Sequence, residues 1–303
     1  MATNGSSDVS CGSRATRCLT LGAGLDKAGV RRFIHLAPGT YTESVLISGK
    51  AVTIVAHGAT LTTGGAAGQD TLAVRAGSDV TVRGLRVTGA PGGVNFAVIC
   101  ASETGAPTRL SVSQVHVVDN GSYGVEVHDC DLTMDRSLIA RNGSAGLSIS
   151  SGSTFSVTNN FIVGNQGGGV YLGPGPLAMP TGRFEFNTVS QNMKSASSSL
   201  QFSGIFCNAL GATSMANNII HGNTGAPNNG GCPLTYSVVE GGTGMGIIDM
   251  DPLFVSPGTG DFHIMRFSPA RNSGDDSRFV PFDYDGDPRP AVDIDMGADE
   301  SIL

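Results

Sequence analysis

VHVVDN at 115–120, SLIARN at 137–142, NFIVGN at 160–165, NTVSQN at 187–192 and NIIHGN at 218–223 are five versions of one hexad. Their last residues, Asn120, Asn142, Asn165, Asn192 and Asn223, follow one another at intervals of 22, 23, 27 and 31 residues. The third position is always β-branched and apolar (Val117, Ile139, Ile162, Val189, Ile220), and the sixth is always Asn. LRVTG at 85–89 is a weaker precursor. A period of this length, with two positions fixed by residue type, marks a solenoid in which each repeat buries its apolar side against the next.

Each middle unit carries two more short strands. Gly124-Val125-Glu126-Val127, Gly146-Leu147-Ser148-Ile149 and Gly169-Val170-Tyr171-Leu172 share a Gly followed by inside, outside, inside alternation at period two. LTMD at 132–135, TFSVT at 154–158 and RFEFN at 183–187 then follow. Three strands in so short a repeat, separated by Gly, Asn and Ser, are hard to close as local hairpins. They read as turns of a coil, each strand pairing with its equivalent one turn on. The fold class is all-β, a single-stranded right-handed parallel β-helix of about eight coils, the hand following from the rule for parallel crossovers. Stacked coils would bring each Asn above the last at about 4.8 Å, close enough for a ladder of amide hydrogen bonds.

The composition agrees. The 303 residues include 44 Gly and no Trp, and only 14% are charged, which speaks against an ordinary helical enzyme. Hydrophobic residues still make up 40%, too many for a disordered chain, and the Gly residues follow no collagen period. Gly and Asn supply the unusual φ of tight corners. The net charge of -7 is local: residues 271–303 hold 9 acids and 3 bases, whereas 1–270 hold 16 and 15. No basic face points to nucleic acid, and no apolar run approaches the roughly 18 residues of a membrane helix. The opening MATNGSSDVS lacks the basic and apolar regions of a signal peptide.

Three divisions follow. Residues 1–30 form an N-terminal segment and cap, 31–248 the coil, and 249–303 an acidic, Pro- and Asp-rich irregular cap, since open solenoid ends need cover. CLTLGAGLDKAG at 18–29 spaces Leu19, Leu21, Leu25 and Ala28 as a short helix would, and reads equally as a loop pinned by a Cys11–Cys18 bridge. Six cysteines fall as Cys11 with Cys18, Cys100 with Cys130 and Cys207 with Cys232, at gaps of 7, 30 and 25. None is a metal-ligand spacing, two gaps are about one repeat, and disulfides place the chain in an oxidising compartment; six buried thiols are the alternative.

HLAPGTYTESVLISGKAVTIVAHGATL at 35–61 resembles the opening coils of extracellular parallel β-helix proteins. DMDPLFVSPGTGDFHIMRFSPARNSGDDS at 249–277 and DYDGDPRPAVDIDMGADE at 283–300 resemble the C-terminal pattern of bacterial secreted right-handed β-helix proteins of the pectate-lyase-like superfamily. The resemblance covers nearly the whole chain and implies architecture and export. It is poor for function, since that group holds carbohydrate-active and non-enzymatic surface proteins alike.

Chemistry is expected on the outside of the coil. The second-strand column presents Glu126, Ser148 and Tyr171, with His128 and Ser150 two residues further along; the third presents Asp135, Thr158 and Glu185, beside Thr133, Ser156 and Arg183. β-Helix lyases neutralise a uronate carboxylate, often with Ca²⁺, and remove a carbon-bound proton with a base. Glu126, His128, Asp135 and Arg141 are the catalytic candidates for such a site, within a cluster that includes Asp129 and Asp131. Tyr171, Arg183 and Glu185 are candidates for substrate binding. β-Helix glycosidases use two carboxylates, and Asp135 and Glu185 two turns apart would stand roughly 9–10 Å from each other, the upper edge for an inverting pair. The bland alternative is that the same residues are solvated charges flanking Thr158, with Arg141 the partner of Asp119 one turn below. QDTL at 69–72 and GTYTE at 39–43 look like pectin methylesterase motifs, but lie about one coil apart and lack a DFIFG-like companion, so that reading is rejected. Asp283, Asp285 and Asp287 alternate around Gly286 as calcium ligands would, although Ile294 stands where an EF-hand needs its last Glu. Their alternative role is bonding to backbone amides and to Arg289 or Arg271.

These readings converge on a secreted or cell-surface monomer that binds an extended polysaccharide along its side and possesses, in Ca²⁺, one candidate cofactor. Cleavage of the polymer, by elimination or hydrolysis, is open at this point. The rival is a non-catalytic structural or adhesive surface module.

Overall fold

The computed structural model describes residues 11, 13, 16–29, 32–102, 105–176, 178–194 and 202–301. They form a right-handed parallel β-helix of about seven turns. The Gly-led strands make one eight-stranded parallel column, from Val45–Ser48 through Tyr123–His128, Leu147–Ser150 and Val170–Leu172 to Ile205–Cys207 and Asn229–Gly230. The other two columns belong to a single sixteen-stranded sheet. They are joined because two early strands, Ala51–Thr62 and Asp79–Thr88, run through both. From Thr108–Ser113 onward the two halves are separate strands, such as Cys130–Asp135 and Leu138–Ala140.

The register follows the hexads. Val117 pairs with Ile139, Ile139 with Ile162, Ile162 with Val189 and Val189 with Ile220, and all five are buried. The Asn ladder is present as expected: Asn120 donates to Asn142 at 2.8 Å, and Asn142 to Asn165, Asn165 to Asn192 and Asn192 to Asn223, each at 2.9 Å. A second ladder was not foreseen. At the first hexad position Asn160 donates to Asn187 at 3.0 Å and Asn187 to Asn218 at 3.3 Å, with Ser137 and Ser237 closing its ends. Buried amides are costly when unpaired, so two continuous ladders convert two polar rows into axial supports.

The role expected for glycine is corrected in part. Many left-handed corners are held by other residues: Asp119, Arg141 and Gln191 beside one ladder, and Arg136, Asn159, Phe186 and Asn217 beside the other. Such backbones cost about 1–2 kcal/mol each, which the buried ladder bonds offset. The glycines that lead the strands serve space instead. A Cβ at Gly146 would lie 2.7 Å from Nδ2 of Asn165 and 2.9 Å from the carbonyl oxygen of Gly169.

At the start, Leu21–Lys27 is a helix, which resolves the choice between helix and loop, and the Cys11–Cys18 bridge is present beside it. Thr20 caps it, and Glu43 of the coil accepts from the backbone N–H groups of Leu21 and Gly22 at 2.6 and 2.9 Å. Leu21 and Leu25 enter the core. The other two expected disulfides, Cys100–Cys130 and Cys207–Cys232, also form, leaving no free cysteine.

The acidic segment expected as an end cap packs on the flank of the coil as a strap. Outward residues of the hexad column, including Val118, Phe161, Val163 and Ile219, lie under Phe262, Ile264, Met296 and Ala298. Gly297 N–H donates to the carbonyl of Asn217 at 2.8 Å, and Ala298 N–H to Thr188 Oγ1 at 3.1 Å. Buried Arg289 reaches Asn159 at 3.1 Å and Glu300 at 3.0 Å, with its guanidinium 4.6 Å above the ring centre of Phe186. Much of the local negative charge is structural, because Asp283 and Asp295 are fully buried acceptors of backbone N–H groups.

Candidate functional site

The outer face of the Gly-led column gathers the most chemistry. Strand pairing sets Ile99, Glu126, Ser148, Tyr171 and Phe206 in one axial row, and Ala101, His128 and Ser150 in the row beside it. Glu126 is only 5% exposed. Its Oε1 accepts from Ser148 Oγ at 3.2 Å and stands 2.7 Å from Nε2 of His128. The other ring nitrogen, Nδ1, is 2.6 Å from Ser150 Oγ. The hydrogen bond to Glu126 raises the His128 pKa above its ordinary value. Glu126 and His128 are therefore brought together as the sequence proposed, with Ser150 completing a chain of three.

Two to three turns beyond Glu126, the row becomes aromatic. Tyr171 stacks on Phe206 with ring centres 6.1 Å apart, and Phe206 on Phe202 at 5.6 Å. Glycines clear the space for these rings: an added Cβ would fall 2.2 Å from Tyr171 Oη at Gly173, 2.3 Å from Phe206 at Gly230 and 2.4 Å from Phe202 at Gly168. Phe202 and Phe206 were missed from sequence. Phe206 was accessible, because Gly204-Ile205-Phe206-Cys207 continues the Gly-led pattern by one more unit.

The other candidates lie elsewhere. Arg141 sits on the corner of the hexad column and is bound by Asp119 at 2.7 and 3.0 Å, with Arg86 on the same carboxylate at 2.8 Å. Asp135 is in the third column, held by Arg136 at 2.9 Å, Asn159 at 3.1 Å and Thr158 at 3.2 Å. Neither reaches Glu126 and His128, because short strands place near neighbours in sequence on different sides of the coil. Asp135 and Glu185 do flank Thr158 in register, but Glu185 is 2% exposed. It accepts from Ser214 at 2.5 Å and faces Arg183 at 3.8 Å and Arg278 of the strap at 3.5 Å, which removes it as a free acid. Arg183 shares the third column with it, away from Tyr171. An open groove on that column is lined by Asp131, Thr133, Thr154, Ser156 and Thr181, without a His.

Of the three calcium candidates, Asp283 accepts at Oδ1 from the N–H groups of Gly286 and Asp287 and at Oδ2 from that of Glu300. Asp285 instead lies 2.7 Å from Nε2 of His263, whose Nδ1 is 2.5 Å from Asp261. Against the downward pull of its burial, the bonds to Asp261 and Asp285 raise His263 to about 9. Burial pushes the nearby Asp299 carboxyl up to about 6. A charged imidazole thus neutralises this acidic group.

The sequence pattern described as right handed beta helix region matches residues 42–197 and 97–248. No curated protein sequence matches the chain. Among solved structures, the crystal structure of pectate lyase Pel9A superimposes with a TM-score of 0.51 at 14% identity, covering 100% of this chain and 96% of the other. At that identity the likeness concerns the fold.

Proposed function

Since the chain belongs to the right-handed β-helix family, we propose that it binds an extended polysaccharide along the outer face of the Gly-led column and acts on it beside His128. The observation that carries this reading is one axial row that passes from Glu126 and Ser148 to the Tyr171–Phe206 stack. Aromatic rings offer flat apolar surface to the C–H faces of sugars, and the row offers hydroxyl and carboxylate groups beside them. A coil repeats this display at about 4.8 Å, a length comparable to one sugar unit of a linear polymer. Three disulfides support a secreted or cell-surface setting, as does the C-terminal pattern seen in secreted bacterial proteins.

The reading is tested by incubating the protein with pectins, alginates and glycosaminoglycans, with and without Ca²⁺. Retention in affinity gels, ultraviolet absorbance of unsaturated uronides, reducing ends and released acyl groups are followed together. Retention of at least one polymer class with a chemical change in it is the expected result. Absence of retention across the panel would contradict the reading.

A further inference from the structure

We propose that Ser150, His128 and Glu126 act as nucleophile, base and positioning acid in the hydrolysis of an ester, so that the protein removes acyl groups from its polymer. This deepens the binding reading above and rests on it for the identity of the acyl carrier. The three groups form one continuous chain, Ser150 Oγ to His128 Nδ1 at 2.6 Å and His128 Nε2 to Glu126 Oε1 at 2.7 Å. Nucleophile, base and orienting group within hydrogen-bond reach is the recurring arrangement of activated serine, whatever fold carries it. As the acceptor beside Nε2, the Glu126 carboxylate favours the ring proton at that nitrogen, which directs the Nδ1 lone pair to the Ser150 hydroxyl. Ser148 bonds the same carboxylate oxygen and fixes its position.

Placement agrees with the role. Ser150 ends its strand, and Ser151 and Gly152 behind it are both left-handed, at φ 58 and 75, so the backbone turns away at the serine. Ser150 is 6% exposed, whereas the His128 side chain is 44% exposed, so approach is from the side of the ring. The alternative use of His128, elimination from a uronate, needs a cationic group to neutralise the sugar carboxylate. Arg141 is on another side of the coil with Asp119, and Arg75, two coils before His128 in the same row, is engaged by Asp70 at 3.3 Å.

In the reaction Ser150 Oγ bonds to the ester carbonyl carbon while its proton passes to His128 Nδ1. The carbon–oxygen bond to the sugar breaks, and the sugar oxygen takes that proton. Water then adds to the acyl carbon, giving its proton to Nδ1. The acid leaves as Ser150 recovers its proton, and the net change is ester plus water to alcohol plus acid.

The test uses the full chain with a fluorophosphonate probe, peptide mass mapping of the label, and p-nitrophenyl acetate as a small ester. Label on Ser150 is expected, with rates falling about 100-fold or more in Ser150→Ala and His128→Gln. Ser156→Ala on the third column should be unchanged, and circular dichroism checks that each variant is folded. Among the described residues, the charged groups around His128 are Glu126 on its own strand, Asp129 at the following corner and the Arg75–Asp70 pair two coils earlier; the next strand, Leu147–Ser150, contributes Ser148 and Ser150. Removing the Glu126 charge should therefore move the alkaline-rising pH–rate midpoint to lower pH in Glu126→Gln, a change that a merely structural glutamate would not produce. A folded wild-type protein that leaves Ser150 unlabelled, or a His128→Gln variant labelled at the wild-type rate, overturns the proposal. Polymer retention without Ser150 labelling would refute the relay alone. Ser150 labelling without retention of any polymer would refute the binding reading alone.

Discussion

Replacing Asn165 by Ala should cut the coil at mid-ladder. Its Oδ1 accepts from the backbone N–H of Asn142 at 3.1 Å and from Asn142 Nδ2 at 2.9 Å. Its Nδ2 donates to the carbonyl of Ile139 at 3.2 Å and to Asn192 Oδ1 at 2.9 Å. Truncation takes the side-chain acceptor from the Asn142 backbone donor, which costs about 1–3 kcal/mol in a buried site. The other three groups keep some bonding; Asn142 Nδ2, for example, retains the Val117 carbonyl and Asn192 Oδ1 the Asn165 N–H. At about 0.5–1 kcal/mol for each of those three, the loss comes to roughly 2.5–6 kcal/mol. The chain has no Trp, so urea unfolding is best followed by circular dichroism. Asn95→Ala is the control, since its side chain makes one exposed bond to Gly92, and it should stay within about 0.5 kcal/mol of wild type. A loss below about 1 kcal/mol in Asn165→Ala would refute the view that the ladder supports the coil.

Gly146→Ala should cost about 1–3 kcal/mol by overpacking, because the new methyl meets Asn165 and the Gly169 backbone; a neutral result in the same urea assay would contradict the close-approach role of that glycine. Removing the Cys100–Cys130 bridge with a double Ala substitution opens a loop of 30 residues and should cost about 3–4 kcal/mol, while thiol counting on the denatured, unreduced wild type should find none. The strap should loosen with rising pH. Burial raises the Asp299 and Glu300 carboxyls to about 6 and about 7, above their unfolded values, so the stability linked to their protonated forms is lost as pH rises through that range, and that of charged His263 is lost through about 9. Limited proteolysis of 249–301 should accordingly be faster at pH 9.5 than at pH 5.5, as measured with a protease whose own pH dependence has been divided out; equal rates would contradict this.

The coil itself was legible because its periodic constraint is severe: a buried row admits only Val or Ile at the third hexad position and Asn at the sixth. The second ladder was less visible, since its first-position residues change from Val115 through Ser137 to Asn160. The strap left a clue in Phe161, Val163 and Ile219, which alternation points outward although they are apolar; their cover comes from Phe262, Ile264, Met296 and Ala298, far later in the chain. Glu126 and His128 were found because strand alternation reliably sets them on one face. Asp135 and Arg141 were grouped with them by closeness in sequence, which fails in a solenoid because each corner carries the chain to a new side. Ser150 stood in the same outward stack, but only the register of one coil on the next shows its hydroxyl against His128 Nδ1.

The central claim is that the working face is the outer side of the Gly-led column. Its most direct test is retention on an array of pectins, alginates and glycosaminoglycans by the wild type and by a protein carrying Tyr171→Ala and Phe206→Ala together, at matched folding by circular dichroism. The predicted result is retention of at least one polymer class by the wild type and its loss, by tenfold or more in Kd, in the paired variant. Undiminished retention by the paired variant would place the polymer on another face and contradict the account.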